Sequence, residues 1–167
     1  MSVKRSNRGT MELPFKLMIM MLLIGMVIPT TLIGYRNVNR TMYEDRVRNE
    51  LYDLITFSKK LRQEGDLSSM TIELDLTGDI FASLEYLHIG DSLDKRPWML
   101  NYRLSWKESD GYLSAVDPLV KLTSPNNNTF RLTSGSHRLK LTHIYTENTS
   151  FIVVSNVNQV IDGSRFT

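Results

Sequence analysis

Apolar and polar positions divide the chain into three regimes. From Leu17 to Gly34 the sequence LMIMMLLIGMVIPTTLIG runs for eighteen residues without a charge, with Thr30 and Thr31 its only polar side chains. At about 1.5 Å per residue such a run covers roughly 27 Å, close to the hydrocarbon thickness of a bilayer. A helix apolar on every face needs lipid or a larger protein around it, so the pattern predicts a membrane span. A cleaved secretory signal would end in small residues of the Ala-x-Ala kind. The first alanine here is Ala82 and the run ends PTTLIGY, so the span is expected to stay on the chain. Lys16 can snorkel to one interface and Tyr35 can sit at the other.

Past Tyr35 the period is helical but one-sided. Val47, Leu51, Leu54, Ile55 and Leu61 form a stripe, while Glu44, Asp45, Arg48, Asn49, Asp53, Lys59 and Lys60 fill the other face. Glu44 and Arg48 can pair one turn apart. No Gly or Pro falls between Arg36 and Gln63, and Gly65 supplies a stop. The pattern predicts one helix from Leu13 to Gln63, on the order of 75 Å if unbroken. Pro14 fits its first turn, and Glu12 beside that end meets the positive pole of the helix dipole. Gly25 and Pro29 are expected to interrupt or kink the apolar half. The stripe is expected to pack on the domain that follows, with a neighbouring subunit as the other candidate.

Residues 66–167 change period to two. Alternation marks Met70–Leu76, Leu84–Ile89, Trp98–Trp106, Thr129–Thr133 and Arg138–Tyr145, and Phe151–Val154 is a short buried run. Turn chemistry separates them at Thr77-Gly78-Asp79, Gly90-Asp91-Ser92, Ser109-Asp110-Gly111, Ser124–Asn128 and Ser134-Gly135-Ser136. No helix-length pattern intervenes, which argues against a parallel α/β sheet. The predicted class is α+β: a long N-terminal transmembrane and amphipathic helix followed by an antiparallel β-sheet or β-sandwich domain.

Composition refines this picture. The 167 residues suit one domain with an accessory element. The net charge of +2 is uneven: Lys4, Arg5, Arg8 and Lys16 against Glu12 make the first sixteen residues basic and leave the rest slightly acidic. The folded part therefore shows no nucleic-acid surface by charge, and there is no Gly-rich phosphate loop. Without cysteine, disulfides, thiolate metal sites and cysteine nucleophiles are excluded.

Gly90-Asp91-Ser92-Leu93 matches the GDSL string of an esterase family, but no Asp-x-x-His follows it, and a turn explains the segment. His137 and His143 lie about 20 Å apart along a strand, too far for one metal, and are expected in surface or cross-strand packing. Asp75, Asp79, Asp91 and Asp94 lack calcium-loop spacing. No cofactor is expected, and the chain is not expected to be an enzyme. Asn39, Asn127 and Asn148 open glycosylation sequons that matter if the domain is outside the cell.

The residues ahead of the span, Lys4-Arg5-Ser6-Asn7-Arg8-Gly9 then Thr10-Met11-Glu12-Leu13-Pro14-Phe15-Lys16, resemble the class III signal of archaeal type IV pilin-like proteins, with an R-G-x-x-E-L-P start. The resemblance covers about residues 4–35. It implies cutting between Gly9 and Thr10 by a prepilin-type (class III signal) peptidase on the cytoplasmic side. The helix would stay on the subunit and Glu12 would serve assembly. Glu12 would be third in the mature chain, where the widespread pilin pattern has its glutamate fifth. The organisation implied is a leader over 1–9, a transmembrane helix over 10–35, an amphipathic helix over 36–65 and an extracellular β domain over 66–167.

Flanking charge alone does not orient the span. Lys4, Arg5, Arg8 and Lys16 precede it, and Arg36, Arg40, Arg46 and Arg48 follow it. The resemblance and the sequons place the N-terminus in the cytoplasm and the C-terminal domain outside. Expected partners are the lipid bilayer, the peptidase and other pilin-like subunits. The expected function is a structural subunit of a surface filament, and the alternative is a membrane-anchored adhesion module that does not polymerise.

Overall fold

A computed structural model describes residues 8–90, 96–114, 120–126, 128–146 and 149–157, with side chains of the first helix described from Leu13 onward. The first helix, α1, runs Arg8–Gln63 over 56 residues. It begins six residues before Pro14, so Pro14 lies inside the helix, and Glu12 is its fifth residue rather than a partner of its first turn. Pro14 removes one N–H, the donor to the carbonyl of Thr10. A single missing bond does not stop residues upstream from closing their own turns.

The expected interruption at Gly25 and Pro29 is also absent, since α1 stays helical through both. The two threonines after Pro29 bond back onto the preceding turn. Thr30 Oγ1 donates to the carbonyls of Met26 and Val27, each at 2.9 Å, and Thr31 Oγ1 to that of Val27 at 2.8 Å. These bonds reach the two carbonyls that follow Gly25, whose own carbonyl is the one that Pro29 deprives of an N–H donor.

The chain falls into two compact units, Met1–Asn39 and Arg40–Thr167. Among its described residues the second contains the amphipathic part of α1 and eight strands: β1 Ser69–Asp75, β2 Leu84–Ile89, β3 Met99–Leu104, β4 Gly111–Ser114, β5 Lys121–Thr123, β6 Phe130–Leu132, β7 Ser136–Thr146 and β8 Thr149–Asn156. They form two four-stranded sheets, ordered β1-β7-β8-β5 and β4-β3-β2-β6. Among the described residues every pairing is antiparallel except β5 with β8, where Lys121, Leu122 and Thr123 run parallel to Phe151, Ile152 and Val153. The fold is thus the expected α+β class, with one parallel edge.

One core joins the inner faces of both sheets to the helix stripe. Leu74, Leu139, Leu141 and Val154 meet Leu87, Ile89, Leu100 and Leu104 in a cluster that includes Val47, Leu51, Leu54, Ile55 and Leu61 of α1. The stripe therefore packs on its own domain. Two buried helix residues fall outside the purely aliphatic pattern. Tyr43 donates its hydroxyl to the Leu76 carbonyl at 2.8 Å, and Ser58 donates to that of Leu54 at 2.8 Å. Burial raises the Tyr43 pKa above that of a free phenol.

The C-terminus of α1 is tied to β7. Gly65 has φ 103° and Leu67 φ 61°, which turn the chain out of the helix. Leu67 N–H then donates to the His143 carbonyl at 3.0 Å, and His143 N–H to that of Ser68 at 2.9 Å. His143 is buried, paired across the strands with Ile152, which is the cross-strand packing of the two expected roles. Its Nδ1 sits 2.7 Å from the Gly65 carbonyl, an acceptor only, so Nδ1 carries a proton there, and Nε2 lies 2.8 Å from the Ser150 hydroxyl.

Candidate functional site

Two surfaces stand out, one in each unit. In the first, Leu13 to Val38 of α1 exposes all of its large apolar side chains, each between 44 and 72% accessible. They point to every side of the helix, and none of the most apolar eighteen-residue window is buried, so α1 is long and apolar enough to cross a membrane. Gly9 and Thr10 lie in the first turn of α1 and Glu12 in the second. Asn39 is also within α1 and half-buried. Asn127, Asn148 and the GDSL serine Ser92 lie outside the described residues.

The second surface is the outer face of the β4-β3-β2-β6 sheet. Alternation sends Leu87, Ile89, Leu100, Leu104, Leu113 and Leu132 inward, so their neighbours Tyr86, His88, Asn101, Arg103, Tyr112 and Arg131 share the other side. The registers Tyr86 with Arg103, His88 with Asn101 and Arg131, and Asn101 with Tyr112 set these side chains beside one another. The Tyr86 and His88 rings stack with centroids 4.6 Å apart, and Arg103 and Arg131 lie 5.4 and 5.6 Å from the Tyr86 ring. Cation–π attraction holds both guanidinium groups over the face.

Asp110 anchors one end. It accepts from the Tyr86 hydroxyl at 2.8 Å, Arg103 Nε at 2.7 Å and Asn101 Nδ2 at 3.4 Å. The Tyr86 hydroxyl first, then Arg103, holds the Asp110 carboxyl below the ordinary range, and the same carboxylate raises the pKa values of Tyr86 and Arg103. Asn101 Oδ1, by contrast, is buried without a hydrogen-bond partner. Next to it lies an open hollow of about 610 Å³ lined by His88, Gly90, Arg96, Met99, Asn101, Tyr112 and Thr129. Among the described residues no three His, Asp or Glu side chains converge as a metal site would require.

The sequence pattern predicted three of the strands that bear this face, β2, β3 and β6, but neither β4 nor the face itself. The signal was present in the outward positions, which hold Tyr, His, Asn and Arg instead of the Ser, Thr, Lys and Glu of a plain solvated surface. Comparison with protein-family models, with curated proteins and with solved structures finds no match to this chain.

Proposed function

We propose that the chain is a pilin-like structural subunit of an archaeal type IV pilus-like surface filament. The apolar part of α1 holds the precursor in the bilayer, cleavage after Gly9 frees the Thr10 amine, and the helices of many subunits then bundle in a core with the β domains outside. The supporting observation is the division of one continuous helix into two chemistries. Its first half is apolar and exposed all round, and its second half is buried by one stripe in a β domain. An all-round apolar surface is stable against lipid, and equally against copies of the same helix. The Arg8-Gly9-Thr10-Met11-Glu12-Leu13-Pro14 segment supplies the resemblance that favours assembly.

N-terminal sequencing of the protein recovered from its native cell tests this reading. A mature chain that begins at Thr10, and a Gly9→Leu variant that inserts but is not cut, are the expected results. A chain beginning at Met1 or Ser2 overturns it. The outer face of the second sheet favours a second reading, a membrane-anchored binding module, which gives an uncut N-terminus and monomers.

A further inference from the structure

We infer that the loop over 77–82, with Ile80 at its tip, is a lipid contact that seats the β domain on the headgroup layer of the bilayer. The inference rests on α1 crossing a membrane, and on neither cleavage nor assembly.

Ile80 is 90% accessible, more than any other large apolar side chain among the described residues. The backbone around it is held in place. Asp79 N–H donates to the Ala82 carbonyl at 2.7 Å, and Asp79 Oδ1 accepts from the N–H groups of Phe81 at 2.8 Å and Ala82 at 2.7 Å. Gly78 N–H donates to Ser134 Oγ at 3.1 Å. One exposed isoleucine is ordinary on a protein surface, so its place in the domain decides what it does.

That place is the end of the second unit at which α1 enters it. Arg46 Nη2 donates to the Thr77 carbonyl, and Arg40 Nε to the Phe81 carbonyl at 3.3 Å. The loop therefore runs along α1 from the level of Arg46 to that of Arg40, the first residue of the unit. Arg40 follows Gly34, the last residue of the apolar run, by six residues, about 9 Å at the helical rise. The headgroup layer adds roughly 5–8 Å to each side of the hydrocarbon. Whatever angle the two units adopt, this tether keeps the loop within reach of it.

The surroundings of the loop have the chemistry of that layer. The Trp106 ring is half-buried and lies 5.7 Å from the Arg40 guanidinium; Lys107 beside it is exposed, and Phe81 is half-buried. An aliphatic tip next to an indole and to cations is a composition that settles at a bilayer interface, where ring and alkyl groups meet acyl carbon and the cations meet phosphate.

The chain has two tryptophans, and they read this contact without a label. Trp98 precedes β3 and Trp106 follows it, so they flank a strand of six residues, about 20 Å long. The full chain is reconstituted in phosphatidylcholine vesicles containing lipid brominated near the headgroup end of the acyl chain, and flotation verifies insertion. The expected result is loss of Trp106 emission, read in Trp98→Phe, with much less loss at Trp98, read in Trp106→Phe. In the Trp98→Phe background, Ile80→Asp is expected to restore most of the Trp106 emission and Ile80→Leu to leave it quenched. An unchanged urea midpoint in both variants verifies the fold. A chain that floats with the vesicles but shows no Trp106 quenching overturns the inference alone, and failure to float overturns it together with the span. Equal quenching at both tryptophans, or quenching unchanged in Ile80→Asp, overturns the assignment to this loop.

Discussion

At Gly90 a single missing Cβ joins the two sheets. The residue follows β2 with φ 68°, and a Cβ there would lie 2.1 Å from the Leu122 carbonyl oxygen of β5. Both the conformation and the contact exclude a side chain. Gly90→Ala is therefore expected to lower stability by about 1–3 kcal/mol or more, read as a reduced urea midpoint, and an unchanged midpoint would show that β5 can retreat. The sequence marked Gly90 only as turn chemistry, because nothing local reveals which strand passes beside it.

Asp110 shows the same dependence on distant partners. Its carboxyl is held low by Tyr86 and Arg103, so its contribution is fully present above the unfolded value of about 3.9 and is lost as pH falls through the lower folded value. Carboxyl carbon NMR should find Asp110 titrating below that value in the wild type and closer to it in Tyr86→Phe. Identical curves would remove the tyrosine from the account.

Among the elements, the amphipathic part of α1 was the most legible and β5 the least. A stripe recurring every three or four residues is a long-range pattern that few alternatives can satisfy, and Val47, Leu51, Leu54, Ile55 and Leu61 are all buried as it predicted. The strands β4 and β5, with four and three residues, were not predicted although the equally short β6 was, and the parallel pairing of β5 depends on a crossover that no local signal encodes. Pro14 is inside the helix rather than at its first turn, and Pro29 does not interrupt it. Each proline removes one backbone donor, and the assignment stays helical on both sides of it.

Docking of α1 is measurable through Trp106, whose ring meets Tyr43 edge-on at 6.0 Å and Arg40 at 5.7 Å. Leu51 is fully buried and its chain neighbour Tyr52 is 48% exposed. Leu51→Ala should destabilise the domain by about 2–5 kcal/mol, and Tyr52→Ala should change it by less than about 0.5 kcal/mol. Urea unfolding followed by tryptophan emission compares them, and equal losses would show that the stripe does not anchor the helix.

At the scale of the whole molecule, the proposed processing changes where Glu12 sits in the helix. In the uncut chain α1 starts at Arg8, so Glu12 is fifth and gains little from the N-terminal pole. Removal of residues 1–9 makes Thr10 the first residue, brings Glu12 into the first turn and leaves a new α-amine two residues before it. A carboxylate drawn into an apolar bundle costs several kcal/mol, on the order of magnitude, unless a cation meets it. In an assembly the nearest candidate cation is the Thr10 amine of a neighbouring copy. Glu12→Gln is therefore expected to leave expression, membrane insertion and the β domain nearly unchanged while lowering the fraction recovered in sheared filaments. A role confined to the helix dipole is worth under about 1 kcal/mol and would leave that fraction where it was. The ratio of assembled to membrane-retained protein, compared between variant and wild type from the same cells, separates the two roles. An equal ratio would reduce Glu12 to a helix-start residue and remove the chemical reason for this chain to join copies of itself through its N-terminus.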